Sequence, residues 1–349
     1  MSDFNEENIW QFLQNTNKPI ILYGMGNGAD KVLKLFECYG IKCSGVMASD
    51  DFVRGQSYKG FTVQKLSYFE GKYKDIVIAV TFGTQIEDVI NNIKNISQKH
   101  TVVIPNVPVF GNNVFDYAFL QRNKEKIKTA YSLLSDMRSR TVFENAVKFY
   151  YTGRLKYLWN CTDNKKEAFK NILKLTAAEN YLDLGAYRGD TIAELINETG
   201  GYSNVIALEP DPKTYKKLCE YINGKPNITA YQKTIWKNNT ILYFSNKGGR
   251  NSTICTTGTP IQATTIDTLC KNYNVTYVKM DVEGAEKQAL AGGINTLSIK
   301  KPKLNIAAYH TFEDLFELIL LIYAINPEYK FYLRHHPYIP LWDTNLYCI

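Results

Sequence analysis

The apolar positions of this 349-residue chain fall into two series of short continuous apolar runs alternating with amphipathic stretches. In the first series Ile20-Ile21-Leu22-Tyr23 runs into Gly24-Met25-Gly26-Asn27-Gly28-Ala29, after which Val32, Leu35 and Phe36 recur at helical spacing. Residues 41–47, 75–80 and 101–104 are further buried-strand runs, and Ile86, Val89, Ile90 and Ile93 mark a helix between the last two. Residues 1–17 predict a short amphipathic helix on Ile9, Phe12 and Leu13. Residues 111–165 lack strand signals; 124–151 is polar and helix-prone, and Tyr150, Tyr151 and Trp159 make an aromatic tip suited either to packing or to a lid. The second series opens with an apolar run at 181–184. It continues with strands at 204–208, 227–232, 275–280 and 304–308, and helices at 213–223 and 313–324. A hairpin-like excursion occupies 235–244 and then 250–255, and two closing strands, 330–333 and 346–349, follow one another without a helix, as an antiparallel pair does. Alternation of this kind builds parallel sheets with crossover helices. The expected organisation is α/β throughout: a smaller Rossmann-like domain over 1–110, a helical linker over 111–165 and a larger Rossmann-like domain over 166–349.

Composition narrows the class. Apolar residues make up 45% of the chain, enough for a core in each half. Seven cysteines without a Cys-x-x-Cys pair read as reduced thiols, so a zinc site is not expected. The polar, acidic start predicts no secretory signal, and the most apolar segment, 315–325, falls short of the roughly 20 residues that span a bilayer. A soluble, cytoplasmic protein is the expectation. The net charge of +7 is spread in lysine pairs, as on a solvated surface; a phosphorylated substrate, a membrane surface or nucleic acid is the alternative partner.

Ligands of open α/β sheets lie at the carboxyl ends of the strands, so the chemistry is read from the strand tips. Gly24-x-Gly26-x-x-Ala29 has the grammar of a dinucleotide turn, and Asp50 lies near where a ribose-binding acid would sit. Gly24, Gly26 and Asp50 are therefore candidates for a nucleotide or nucleotide-sugar, with helix packing as the equal alternative. The second turn, Asp183-x-Gly185-x-x-x-Gly189, is spaced differently and suits a ligand without phosphates that carries a positive amino-acid end, such as S-adenosylmethionine. Asp183, Gly185, Tyr187, Gly189 and Asp190 are its candidates, joined by Glu209, Thr234 and Asp281 at later strand tips. A carboxylate at Glu209 can accept both hydroxyls of a ribose; capping the next helix is its alternative role. His310, at the fifth tip, is the first choice for a catalytic base, with Asp281 and Glu283 as competitors. Asp281 and Glu283 can also converge on a divalent cation, but no third ligand is evident and no metal is assigned. Glu286 is read as orienting the loop. Arg250 and Ser252 in the excursion, and His335 and His336 beside Arg334, are candidate acceptor contacts.

Four blocks carry a resemblance. Tyr181-Leu-Asp-Leu-Gly-Ala-Tyr-Arg-Gly-Asp190, Ala207-Leu-Glu-Pro-Asp-Pro212, Thr265-Ile-Asp-Thr-Leu269 and Val278-Lys-Met-Asp-Val-Glu-Gly-Ala-Glu286 with Gly292 resemble the FkbM family of methyltransferases over roughly residues 178–349. That resemblance implies a class I methyltransferase fold with a seven-stranded sheet, S-adenosylmethionine as donor, and a hydroxyl of a small molecule or sugar as acceptor. Many members have Asn where Tyr187 stands and Glu-x-His where this chain has Ala308-Tyr309-His310. The resulting expectation is an O-methyltransferase acting on a sugar or nucleotide-sugar of a surface glycan, the nucleotide held at the first glycine turn, with homodimerisation left open. Two other readings stand beside it: an NAD-dependent oxidoreductase using the Gly24 turn, and a non-catalytic sugar-nucleotide-binding protein. No nucleic-acid partner is expected, because the fourth strand of the second series ends in Asp-Val-Glu-Gly rather than a Pro-Pro-aromatic loop.

Overall fold

The computed structural model describes residues 6–244, 254–255 and 258–349. They form two compact units. One comprises Met1–Lys128, Arg140–Thr162 and His335–Asp343, the other Thr129–Ser139, Asp163–Arg334 and Thr344–Ile349. The predicted helical stretch thus contributes to both.

The first unit is built on a four-stranded parallel sheet in the order Cys43–Met47, Ile20–Tyr23, Val77–Val80, Thr101–Val103. Its two middle strands are buried at every residue, which is why their sequences are continuous apolar runs rather than alternating ones. The helices Ile9–Asn15 and Asn27–Tyr39 put Ile9, Trp10, Leu13, Val32 and Phe36 into one core with these strands. Tyr150 and Tyr151 are buried, and the Lys94 ammonium lies 5.0 Å from the Trp159 ring centre, so the aromatic tip is packing. Gly28 makes the helix's close approach possible: a Cβ there would lie 2.0 Å from the Thr81 carbonyl oxygen. Gly28→Ala should therefore lower stability by about 1–3 kcal/mol in urea unfolding, the usual cost of overpacking. An unchanged midpoint would show that the turn relaxes freely.

The second unit carries a seven-stranded sheet in the order Phe331–His335, Thr344–Cys348, Lys303–Ala307, Tyr277–Met280, Asn180–Leu184, Asn204–Leu208 and Ile228–Tyr231. Five of these strands run parallel, and Thr344–Cys348 is antiparallel to Lys303–Ala307. This is the sheet that the resemblance implied. Burial is nearly complete in the middle, while the edge strand Ile228–Tyr231 alternates between half-buried and exposed residues. The strand order reverses between Asn180–Leu184 and Tyr277–Met280, so the loops leaving them open the crevice where such sheets bind ligands.

The excursion is more than a hairpin. Thr240–Phe244 pairs antiparallel with Thr259–Thr264 along its length, within a four-stranded sheet that also holds Thr234–Ile235 and Ile254–Cys255. The strand Thr259–Thr264 has no counterpart among the elements expected from sequence, and it contains Pro260, which cannot donate to a ladder. Here it stands near the strand's start, opposite Tyr243, while Thr234–Ile235 pairs only with the strand's last two residues, 263 and 264.

Candidate active site

The turn after Asn180–Leu184 is held by its own amides. Gly185 N–H and Ala186 N–H both donate to the Leu208 carbonyl, at 3.1 and 2.9 Å, and Gly189 N–H donates to Ala186 O at 2.8 Å. A Cβ on Gly185 would lie 2.0 Å from Asp281 O, and one on Gly189 would lie 2.3 Å from the Tyr221 ring. Both glycines let the turn close against its neighbours, and their amides serve protein carbonyls rather than a ligand. What the turn presents outward is the Tyr187 side chain, 36% exposed, with the Arg188 guanidinium 4.9 Å from its ring centre. Asp190 opens the helix Asp190–Thr199 from an exposed position.

Asp183 is buried under this turn. Its Oδ2 accepts from Thr191 Oγ1 at 2.5 Å, and Lys279 Nζ lies 3.8 Å from Oδ1 while donating to Gly185 O at 2.9 Å. Lys279 faces Asp183 in register across the two strands. Burial holds the Asp183 carboxyl above the usual carboxylate range, with Lys279 opposing. Its Oδ1 has no hydrogen-bond partner among the described residues. An orphaned buried acceptor costs about 1–3 kcal/mol, and a donor group on a ligand would relieve it.

Glu209 stands at the next strand tip. Its Oε2 accepts Tyr187 N–H at 3.0 Å and its Oε1 accepts Asp211 N–H at 2.9 Å. Each oxygen retains a second lone pair, so the carboxylate can still take two hydroxyls. Burial pushes its pKa up to about 7, with the two N–H groups opposing. It does not cap the helix Pro212–Ile222, because Asp211 fills that role, accepting Thr214 N–H at 2.8 Å. Asp183 and Glu209 thus fit the demands of S-adenosylmethionine by side chain, where the glycines do not by amide.

Two further strand tips converge in an acid–imidazole cluster. His310, wholly buried, has Nε2 3.4 Å from Asp281 Oδ1 and 3.5 Å from Glu283 Oε2, and Nδ1 3.0 Å from Glu286 Oε1. Glu286 also accepts Val282 N–H at 2.9 Å, orienting the loop as read from sequence. Tyr309 OH lies 3.4 and 3.5 Å from the two Asp281 oxygens. Burial alone would strip the imidazole of its proton. Glu286, Glu283 and Asp281 together outweigh it and hold the His310 pKa well above its ordinary value. A raised pKa favours the protonated ring, which has no lone pair to offer as a base. Burial and Glu286 likewise push Asp314 up to about 6. Asp281 and Glu283 are the partly exposed members, at 36% and 38% of their side chains.

The remaining candidates are not members of this cluster. Thr234 is buried in the four-stranded sheet, paired with Ala263. Arg250 and Ser252 lie outside the described residues. His335 ends the edge strand Phe331–His335, His336 follows it, and both are buried; His335 Nε2 lies 3.2 Å from Tyr338 O, and burial with His336 beside it pushes the His335 pKa down to about 3. A buried, uncharged imidazole is not placed to meet an anionic acceptor. Arg334 is engaged by Asp136 at 2.6 Å. In the first unit, Gly24 packs on Thr81 and Phe82, Gly26 faces open space, and Asp50 pairs with Lys65 at 3.5 Å. Asp30 sits in the first turn of the helix that a phosphate would face, bonded to Tyr58 OH at 2.9 Å. An acid there opposes a pyrophosphate. Sequence reasoning gave no role to Lys279 or Tyr309; a lone charge inside the apolar run 277–280 was the available signal for the first.

Residues 183–335 match the family model of the methyltransferase FkbM domain. None of the curated proteins compared matches the chain. Among solved structures, the methyltransferase FkbM from Methylobacillus flagellatus KT shares the fold, with a TM-score of 0.74 over 95% of this chain and 90% of its own at 22% identity. Fibrillarin from Aeropyrum pernix, solved with natively bound S-adenosyl-L-methionine, aligns with 53% of this chain and 73% of its own at 12% identity and a TM-score of 0.35. Residues 183–335 are therefore an FkbM methyltransferase domain on a class I fold, and the protein is an S-adenosylmethionine-dependent methyltransferase.

Proposed function

We propose that the protein methylates a hydroxyl of a small molecule, a sugar or nucleotide-sugar, with Asp281 or Glu283 accepting the hydroxyl proton. The observation that carries this reading is the cluster of Asp281, Glu283 and His310 at the carboxyl edge of the sheet, beside the Asp183 turn. S-adenosylmethionine supplies an electrophilic methyl group on a sulfonium. An amine acceptor would need little help losing its proton, whereas an alcohol has a high pKa and needs a destination for it. The partly exposed carboxylates offer that destination, and the His310 ring lies within 3.5 Å of both. Glu209 accepts the donor's ribose hydroxyls, and Asp183, braced by Thr191 and Lys279, fixes the turn above which the donor lies. Holding donor and acceptor in line is worth roughly 7–11 kcal/mol of barrier.

Incubating the protein with labelled donor and a panel of free sugars and UDP- or GDP-sugars, followed by mass spectrometry, tests this reading. A methyl ether is the expected product; methylation confined to amines or to protein side chains would refute it. The first unit's glycine turn leaves space open at Gly26, and a nucleotide-sugar entering there must keep its diphosphate clear of Asp30. Gly26→Val should then abolish UDP- or GDP-sugar binding in calorimetry while leaving donor binding intact. Equal nucleotide-sugar affinity in the variant would make that turn purely structural.

A further inference from the structure

We propose that Asp281, Glu286 and His310 form a divalent-cation site. One ligand atom from each lies within 4.8 Å of the other two. Ions bound at about 2.1–2.4 Å place opposite ligand atoms about 4.2–4.8 Å apart, so one ion can touch all three after small side-chain adjustments. The residues come from two strand-tip loops and the helix Glu286–Ala291, which the fold brings together although 24 residues or more of sequence separate His310 from the acids.

A second observation points the same way. Glu286 is 1% exposed, and while its Oε1 takes Val282 N–H, its Oε2 has no hydrogen-bond partner among the described residues. A buried carboxylate oxygen without a donor is rare in folded proteins and calls for a proton, a water or an ion. Its carboxyl group points into the cluster, since Oε1 lies 3.0 Å from the His310 ring. Charge balance favours the ion. Asp281, Glu283 and Glu286 gather around one imidazole, while Lys287, the next residue along the helix, turns instead to Glu317 at 2.5 Å and Asp314 at 3.8 Å. A donor set of one imidazole and carboxylates suits Mg²⁺, Mn²⁺ or a similar ion rather than one that seeks thiolates. The partial exposure of Asp281 leaves one side of the site open to solvent. When the ion binds, it takes the place of the imidazole proton, which leaves to solvent. If the proposed methyl transfer to a hydroxyl holds, that open side is where the ion would hold the acceptor oxygen and lower its pKa, with Glu283, outside the ligand set, left to take the proton. Cation binding is measured without donor or acceptor, so the two readings fail separately.

The test is Mn²⁺ binding to the metal-stripped full chain, followed by electron paramagnetic resonance. Saturation at about one ion per chain is expected, with a nitrogen coupling from the imidazole in pulsed spectra. His310→Gln and Asp281→Asn should each weaken binding by about tenfold or more, while Glu209→Gln should bind Mn²⁺ as the parent does. Circular dichroism checks folding, and the partly exposed Asp281→Asn carries the test if His310→Gln does not fold. Binding that fails to saturate at millimolar Mn²⁺, that lacks nitrogen coupling, or that survives both substitutions overturns the site.

Discussion

Donor affinity should weaken as pH falls through neutrality, approaching about tenfold per pH unit well below 7, with Glu209 as the titrating group. In the free protein burial raises its pKa to about 7, so near neutrality the carboxyl is divided between its two forms. Only the ionised form can accept both ribose hydroxyls while keeping the N–H bonds from Tyr187 and Asp211. Binding therefore favours the carboxylate and releases a proton. Glu209→Gln should flatten this dependence and cost about 1.4 kcal/mol or more of affinity at pH 8, a factor of about ten. Calorimetry in two buffers of different ionisation enthalpy reads both the affinity and the proton. A parent affinity that does not change across neutral pH, or a Glu209→Gln variant that binds as tightly, removes Glu209 from the site.

The same shift has a consequence for folding, of opposite sign. A carboxyl whose folded pKa lies above its ordinary 4.5 binds more protons in the native state than in the unfolded one between pH 4.5 and about 7. Its contribution to stability is full below that window and is lost as pH rises through it, on the order of 3 kcal/mol. Donor binding restores part of the loss by mass action. Glu209 is thus kept at a cost to the free protein, as expected of a residue retained for a ligand.

Both sheets were legible because their middle strands are buried on two faces and read as unbroken apolar runs. The strand at residues 259–264 was not, because it is short, polar and interrupted by Pro260, and its pairing is supplied by the tertiary fold. At the candidate site, the rule that ligands gather at strand tips pointed to Asp183, Glu209, Asp281, Glu283 and His310, and the structure brings the last three together. Their partnerships were invisible: which acid faces which ring nitrogen depends on loop geometry, and Glu283 itself sits at φ 54°. His335 and His336, read as candidate acceptor contacts, are both buried, which their polar sequence surroundings did not signal.

The glycines carry a broader lesson. The two turns differ in spacing, but each places a glycine where a Cβ would lie 2.0 Å from a carbonyl of the neighbouring strand's loop, Thr81 O at Gly28 and Asp281 O at Gly185. Glycine spacing here reports how closely that loop approaches. Ligand chemistry is written in the acids instead. Asp30, at the first turn's helix, opposes a phosphate, while Asp183 and Glu209 suit a phosphate-free nucleoside with a positive end.

Asp281→Asn should lower the methyl-transfer rate by about 10²–10⁴-fold, the usual contribution of a positioned general base, while leaving donor affinity unchanged. Asparagine keeps the shape and one acceptor oxygen but cannot take up a proton. Loss of rate with intact donor binding therefore isolates proton acceptance, or cation binding, from donor recognition. The pH profile separates the carboxylate from its neighbour. Were His310 the base, the rate at saturating donor would fall as pH drops through about 6.5, where an ordinary histidine titrates. Glu286, Glu283 and Asp281 hold the His310 proton well above that value, so the ring does not change charge there. No histidine-like limb should appear near pH 6.5 in single-turnover measurements. A limb that does appear and vanishes in His310→Gln would return the role of base to His310. Asp281→Asn activity within about threefold of the parent would clear Asp281 of any part in the chemistry, and Glu283→Gln would then be the variant to carry the loss.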